Sequence, residues 1–129
     1  MSVFASYSTK YRHLRMERRD GILQVTLHSE GETLRWGGGP HAEFGAAFRD
    51  IGADPDNRVI IMTGVGDAFI ERVDASNVGQ RLPATRMSPH TWNQIYWNAK
   101  QLLMNLLEIE VPMIAAVNGP VSIHAELAV

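Results

Sequence analysis

The stretch LLEIEVPMIAAVNGPVSIHAELAV, Leu106–Val129, decides how the rest of the chain is read. Pro112 opens an apolar run, Met113–Val117, of strand length and far too short to span a membrane. Asn118-Gly119-Pro120 breaks that run in a turn. Residues from Ser122 to Val129 then have the look of a helix start. Strand, turn and helix start in immediate succession are the mark of an α/β crossover unit.

Reading outward from that unit, the elements fall into the same style. Ser88-Pro89 is a helix start, with Ser as N-cap and Pro at the first helical position. Trp92, Ile95, Tyr96, Ala99, Leu102, Leu103 and Leu106 mark one face of the long helix that follows. Upstream, Gln80–Arg86 reads as irregular. Gly64-Val65-Gly66-Asp67 is a turn leading into Ala68–Asp74, with Asp74 placed to cap what comes next. Val59–Thr63 is solidly apolar, as expected of a strand buried on both faces. It should lie beside Met113–Val117 and parallel to it, with the long helix crossing between them.

Phe44, Ala47, Phe48 and Ile51 recur at helical spacing from about Pro40, and Asp54-Pro55-Asp56-Asn57 stops that helix. Glu30–Gly39 reads as a loop. Tyr11–Arg18 and Ile22–His28 alternate apolar with polar residues around Asp20-Gly21, a hairpin signal because Asp-Gly accepts positive φ. Residues 1–10 read as a flexible tail. The expected layout is α/β or α+β with crossover connections, in one domain covering residues 1–129, with neither repeats nor low-complexity segments.

Bulk properties exclude several function classes. Twelve basic against fourteen acidic residues, without a basic stripe, argue against a nucleic-acid partner. Zero cysteines remove disulfides and thiolate zinc sites, in keeping with a reducing cytoplasm. Met1–Lys10 lacks the layout of a secretory signal. His13, His28 and His90 show no metal-ligand pattern, so no metal is expected. Gly37–Gly39 is not a phosphate loop, because no strand closely precedes it and no Lys-Ser/Thr pair follows.

Two segments resemble the crotonase (enoyl-CoA hydratase/isomerase) superfamily. RVIIMTGVGDAFIERVDAS, Arg58–Ser76, is similar to that family's buried strand, glycine turn and Ala-Phe pair. The Leu106–Val129 stretch is similar to its PxIAAVNG strand and AEL helix start. With the hairpin included, the resemblance runs over nearly the whole chain from Tyr11. It implies the N-terminal portion of a crotonase-like ββα spiral core, incomplete at Val129. Such folds stabilise an enolate with two backbone N–H groups at strand ends. The equivalents here lie near Val73 and around Ile123-His124.

Three departures narrow the resemblance. Ile70-Glu71-Arg72 replaces a small, glycine-bearing loop. Ser122-Ile123-His124 replaces a glycine cluster, one residue shorter. Trp36-Gly37-Gly38-Gly39-Pro40-His41 stands where hydratases contact acyl-CoA. The same departures resemble β-diketone hydrolases of the 6-oxocamphor hydrolase type, which cleave a C–C bond by adding water in a retro-Claisen reaction and use no CoA. That likeness implies substrate-facing roles for Trp36 and His124 as donors to a ketone oxygen, with Glu126 in the place of a hydratase catalytic acid. His41, Val73, Glu71 and Ile123 would line the substrate site.

Each of these residues also has a plainer reading. Trp36 serves equally as a core aromatic, His124 as a structural imidazole and His41 as a helix-end residue. Glu126 reads as a helix-start carboxylate, Glu71 and Arg72 as surface charges, and Trp92 and Trp97 as core and interface residues.

The C–C hydrolase is weighed against an enoyl-CoA hydratase/isomerase, with coenzyme A thioester as substrate and otherwise no cofactor, and against a non-catalytic assembly chain. No His–carboxylate pairing is legible, so the resemblance puts the general base beyond Val129 and the 129 residues alone are expected to be inactive. A small-molecule substrate, no membrane partner and a homotrimer or hexamer complete the expectation.

Overall fold

The computed structural model describes residues 2–73 and 88–128. Its centre is a four-stranded sheet ordered β1 (Leu14–Arg19), β2 (Ile22–Leu27), β4 (Val59–Gly64) and β6 (Met113–Ala116). β1 and β2 form the expected antiparallel hairpin, with Asp20 and Gly21 at φ 51° and 79°. Those two positive angles are what a tight two-residue turn requires, and Asp and Gly tolerate them. The parallel pairing expected of β4 and β6 is present, with Ile61 opposite Ile114. The α/β class and its crossovers therefore stand.

Register brings inward residues into rows. Leu23 faces Ile60, which faces Met113; Met16 faces Val25, Met62 and Ala115 in turn. α2 (Gly38–Gly52) covers this face with Phe44, Ala47, Phe48 and Ile51, all buried. Only one face is closed in this way. Ile60 and Met62 are buried, whereas Val59, Ile61 and Thr63 are half-buried. The expected burial of that strand on both faces is thus corrected: every second residue along it is covered only in part.

α3 (Pro89–Leu107) starts at Ser88, whose hydroxyl accepts from Thr91 N–H at 3.1 Å. It packs on α2 through Leu102 and Asn105, the latter donating its side-chain amide to the Gly45 carbonyl at 2.7 Å. A Cβ on Gly45 would stand 3.1 Å from the Leu102 nitrogen, so the helices approach closely there. Of the expected apolar face Leu102 is buried, Leu106 is half-buried and Leu103 is exposed. Trp92, Ile95, Tyr96 and Trp97 are exposed, and the tryptophans are not core residues of this chain.

The N-terminal residues differ from a tail. α1 (Val3–Tyr7) is capped by Ser2, and Tyr7 is buried. Its hydroxyl donates to Asp54 at 2.9 Å and accepts from Asn57 at 3.0 Å, while Arg18 bonds Asp54 at 2.7 Å. Burial, with the Asp54 carboxylate adding to it, raises the Tyr7 hydroxyl to a pKa of about 12. Among the described residues, no helix is long and apolar enough to cross a membrane. The expectations for Asp74 and Gln80–Arg86 lie outside the described residues.

Candidate active site

Three loops converge at the C-terminal end of the parallel strands. The first carries β3 (Arg35–Trp36) into α2; the second leaves β4 and ends in β5 (Arg72–Val73); the third leaves β6 and ends in a 3₁₀ turn, Ala125–Ala128. β3 and β5 pair in parallel, with Trp36 opposite Val73. Ile70 bridges Val121, and the Ser122 hydroxyl bonds the Glu71 carbonyl. The Asn-Gly turn locks the second and third loops together. Asn118 accepts from Gly64 N–H at 3.0 Å and donates to the Gly66 and Ala68 carbonyls. A Cβ on Gly119 would fall 1.9 Å from the Asp67 carbonyl oxygen, so only glycine fits.

These ties bring the predicted rings together. Trp36, 4% exposed, lies with its ring centroid 4.1 Å from that of His124. His41, in the first turn of α2, completes the cluster at 6.0 Å from Trp36 and 5.9 Å from His124. Phe44 backs Trp36 edge-on at 5.2 Å. Trp36 is therefore a core ring that also forms one wall of the cluster. Burial, and then the charge of His124, push the His41 pKa below the ordinary imidazole value.

His124 adopts φ 53°, a left-handed conformation that glycine takes freely and other residues do not. Holding it there costs about 1 kcal/mol or more, and such positions cluster at functional sites. Its Nδ1 is hydrogen-bonded to the Glu126 carboxylate. The His–carboxylate pairing that sequence spacing concealed is thus present. The opposing effects on Glu126 are burial, the largest, which raises its pKa, and its own backbone N–H and the His124 bond, which lower it; the net direction is down. Leu127, buried, anchors the turn, and its N–H donates to the His124 carbonyl at 3.0 Å.

The remaining predicted residues are placed less centrally. Ile123 is half-buried and packs on the core. Glu71 is exposed, and its backbone N–H donates to the Leu34 carbonyl, so its main chain joins two of the three loops. Val73 contributes its backbone position beside Trp36. A second imidazole–carboxylate approach, also not legible in the sequence, involves neither member of the first: His13 Nδ1 stands 3.1 Å from Glu43 without hydrogen-bond geometry. No group of three His, Cys, Asp or Glu among the described residues is arranged to hold a metal.

Residues 17–122 match the enoyl-CoA hydratase/isomerase family. A β-diketone hydrolase from the cyanobacterium Anabaena sp. PCC 7120, solved bound to (S)-3-oxocyclohexyl acetic acid, is 42% identical, with a TM-score of 0.83 over 98% of this chain and 47% of that one. An enoyl-CoA hydratase/isomerase from Mycobacterium paratuberculosis is 17% identical, with a TM-score of 0.72 over 84% of this chain and 42% of that one. Another, from Xanthobacter autotrophicus Py2, is 24% identical, with a TM-score of 0.66 over 85% and 40%. The last two share the fold alone. This chain spans less than half the length of each of these three structures. No curated protein matches it.

Proposed function

The chain belongs to the enoyl-CoA hydratase/isomerase family, and from that membership we propose that its ring cluster serves hydrolytic C–C cleavage of a cyclic β-diketone. Water adds to one ketone carbon and gives its proton to a general base, which the resemblance places beyond Val129. The C–C bond to the carbon between the two ketones then breaks. Its electron pair becomes the enolate of the second ketone, and protonation at carbon yields an oxo-carboxylic acid. Trp36 and His124 donate N–H groups to the oxygen that carries the enolate charge. One such preorganised donor contributes on the order of 10²–10³ in rate.

The observation that carries this reading is the contact of the Trp36 and His124 rings beside His41. Imidazole and indole replace the glycine backbone that a thioester oxyanion would need. The alternative, an acyl-CoA hydratase with Glu126 as acid/base, is disfavoured because His124 already engages that carboxylate. The likeness to a β-diketone hydrolase at 42% identity points the same way. We also propose a cytoplasmic homotrimer or hexamer, on the family resemblance and on the exposed apolar side chains of α3.

Thermal denaturation with each ligand class separates the alternatives. A ligand at a hundred times its Kd stabilises the state it binds by about 2.7 kcal/mol. A cyclic β-diketone or an oxocycloalkyl acetic acid should raise Tm, and an acyl-CoA thioester should not. The reverse pattern would reject the hydrolase reading.

A further inference from the structure

Glu126 sits two residues from His124, a spacing that puts side chains on the same face of a strand but roughly 6.5 Å apart, and well apart around an α-helix. Here the two touch. The left-handed backbone at His124 turns the chain back on itself, and the 3₁₀ turn from Ala125 brings the carboxylate to the ring. Leu127 pins the turn to the core, so the pair does not depend on two free surface side chains finding each other. The Glu126 side chain is 41% exposed against 19% for His124, so the imidazole is the inner member of the pair. The same ring meets Trp36, with centroids 4.1 Å apart.

We infer that Glu126 is a positioning residue: it takes the Nδ1–H of His124, fixes the ring's tautomer and orientation, and leaves Nε2 as the nitrogen that serves the substrate oxygen. This rests on the proposed site at Trp36 and His124, and it assigns Glu126 no contact with substrate. With Nδ1–H held by the carboxylate, the doubly protonated ring presents Nε2–H to the enolate oxygen as a hydrogen-bond donor and keeps that proton while the product is protonated at carbon. Without Glu126 the neutral ring is free to carry its proton on Nε2 and to turn away from Trp36. A carboxylate or carbonyl at the second nitrogen is the usual means of fixing a histidine's tautomer.

The test has two arms on the full-length protein. In the first, ¹⁵N NMR of the His124 ring is recorded at alkaline pH in wild type, Glu126→Gln and Glu126→Ala. Wild type and Glu126→Gln, which keeps an acceptor oxygen, should show the proton on Nδ1; Glu126→Ala should move it to Nε2. A wild-type ring protonated on Nε2, or one unchanged in Glu126→Ala, overturns the inference. In the second arm, cyclic β-diketone hydrolysis should lose about 10–100-fold in kcat in Glu126→Ala with KM little changed, and Glu126→Gln should restore part of the loss. Loss in KM with kcat intact would make Glu126 a binding residue and reject the positioning role. A tautomer shift in a protein whose wild type leaves the diketone untouched would reject the proposed reaction while upholding the pairing.

Discussion

Trp36 and His124 stand ring to ring at 4.1 Å, one entering α2 and the other following β6. The contact exists because β3 pairs with β5, and Ile70 at the foot of β5 bridges Val121. A ring that only filled space at position 124 would not need a left-handed backbone. His124→Ala should therefore lower kcat for a cyclic β-diketone by about 10². Its Tm should change little by comparison, since Ala keeps the Cβ and with it the cost of the left-handed backbone. Trp36→Phe keeps the ring and loses the N–H, so a smaller loss is expected. Wild-type rates in both variants, measured by steady-state kinetics, would remove the donor role.

His41 gives the cluster a pH dependence in stability. Its folded pKa lies below the ordinary 6.5, chiefly from burial. As pH falls through 6.5 the unfolded chain takes up a proton that the folded chain resists, so stability is present above that pH and is lost below it. His124 and Trp36 face His41 in this cluster, and a charged His124 adds to the penalty. Between pH 7 and pH 5.5, Tm should fall more steeply in wild type than in His41→Gln. Parallel pH–Tm curves would show that His41 does not titrate against folding.

Asp54 joins α1, β1 and the α2–β4 turn in one buried network. Removing it takes the nearest carboxylate from Arg18, only 13% exposed, and leaves it Asn57 at 3.2 Å and the exposed Asp56 at 3.6 Å. Asp54→Ala should cost about 3–5 kcal/mol in urea denaturation. Tyr7→Phe removes one member's hydroxyl and should cost about 1–2 kcal/mol. A neutral Tyr7→Phe would restore the view of residues 1–10 as a tail.

How much was legible follows from where the interactions lie. The hairpin at Asp20-Gly21, the Ser88-Pro89 cap and the parallel strands at Ile61 and Ile114 are local patterns, and all three are present. α1 was missed because five residues carry no helical period, and what holds them is Asp54 and Asn57, far along the chain. β3 and β5 are two residues each, too short to show alternation. The ring partners Trp36, His41 and His124 were legible through family likeness. The Glu126 contact was not, because it depends on one positive φ.

Apolar side chains remain open on α3 and β6. Tyr96 is 69% and Leu107 77% exposed, with Trp92, Trp97 and Ile114 also uncovered. Surface of this kind on a folded chain marks a site of association. Analytical ultracentrifugation at micromolar concentration should show a trimer or hexamer, and Trp97→Glu should weaken it. A monodisperse monomer would contradict the proposed assembly.

The measurement that bears most directly on the central claim is product analysis of a cyclic β-diketone incubated with the full-length protein in ¹⁸O-labelled water. The proposed reaction predicts ring opening to an oxo-carboxylic acid with one ¹⁸O newly placed in the carboxylate, and a large loss of product with His124→Ala. Diketone recovered unopened, while an enoyl-CoA is hydrated at a rate unaffected by His124→Ala, would contradict it.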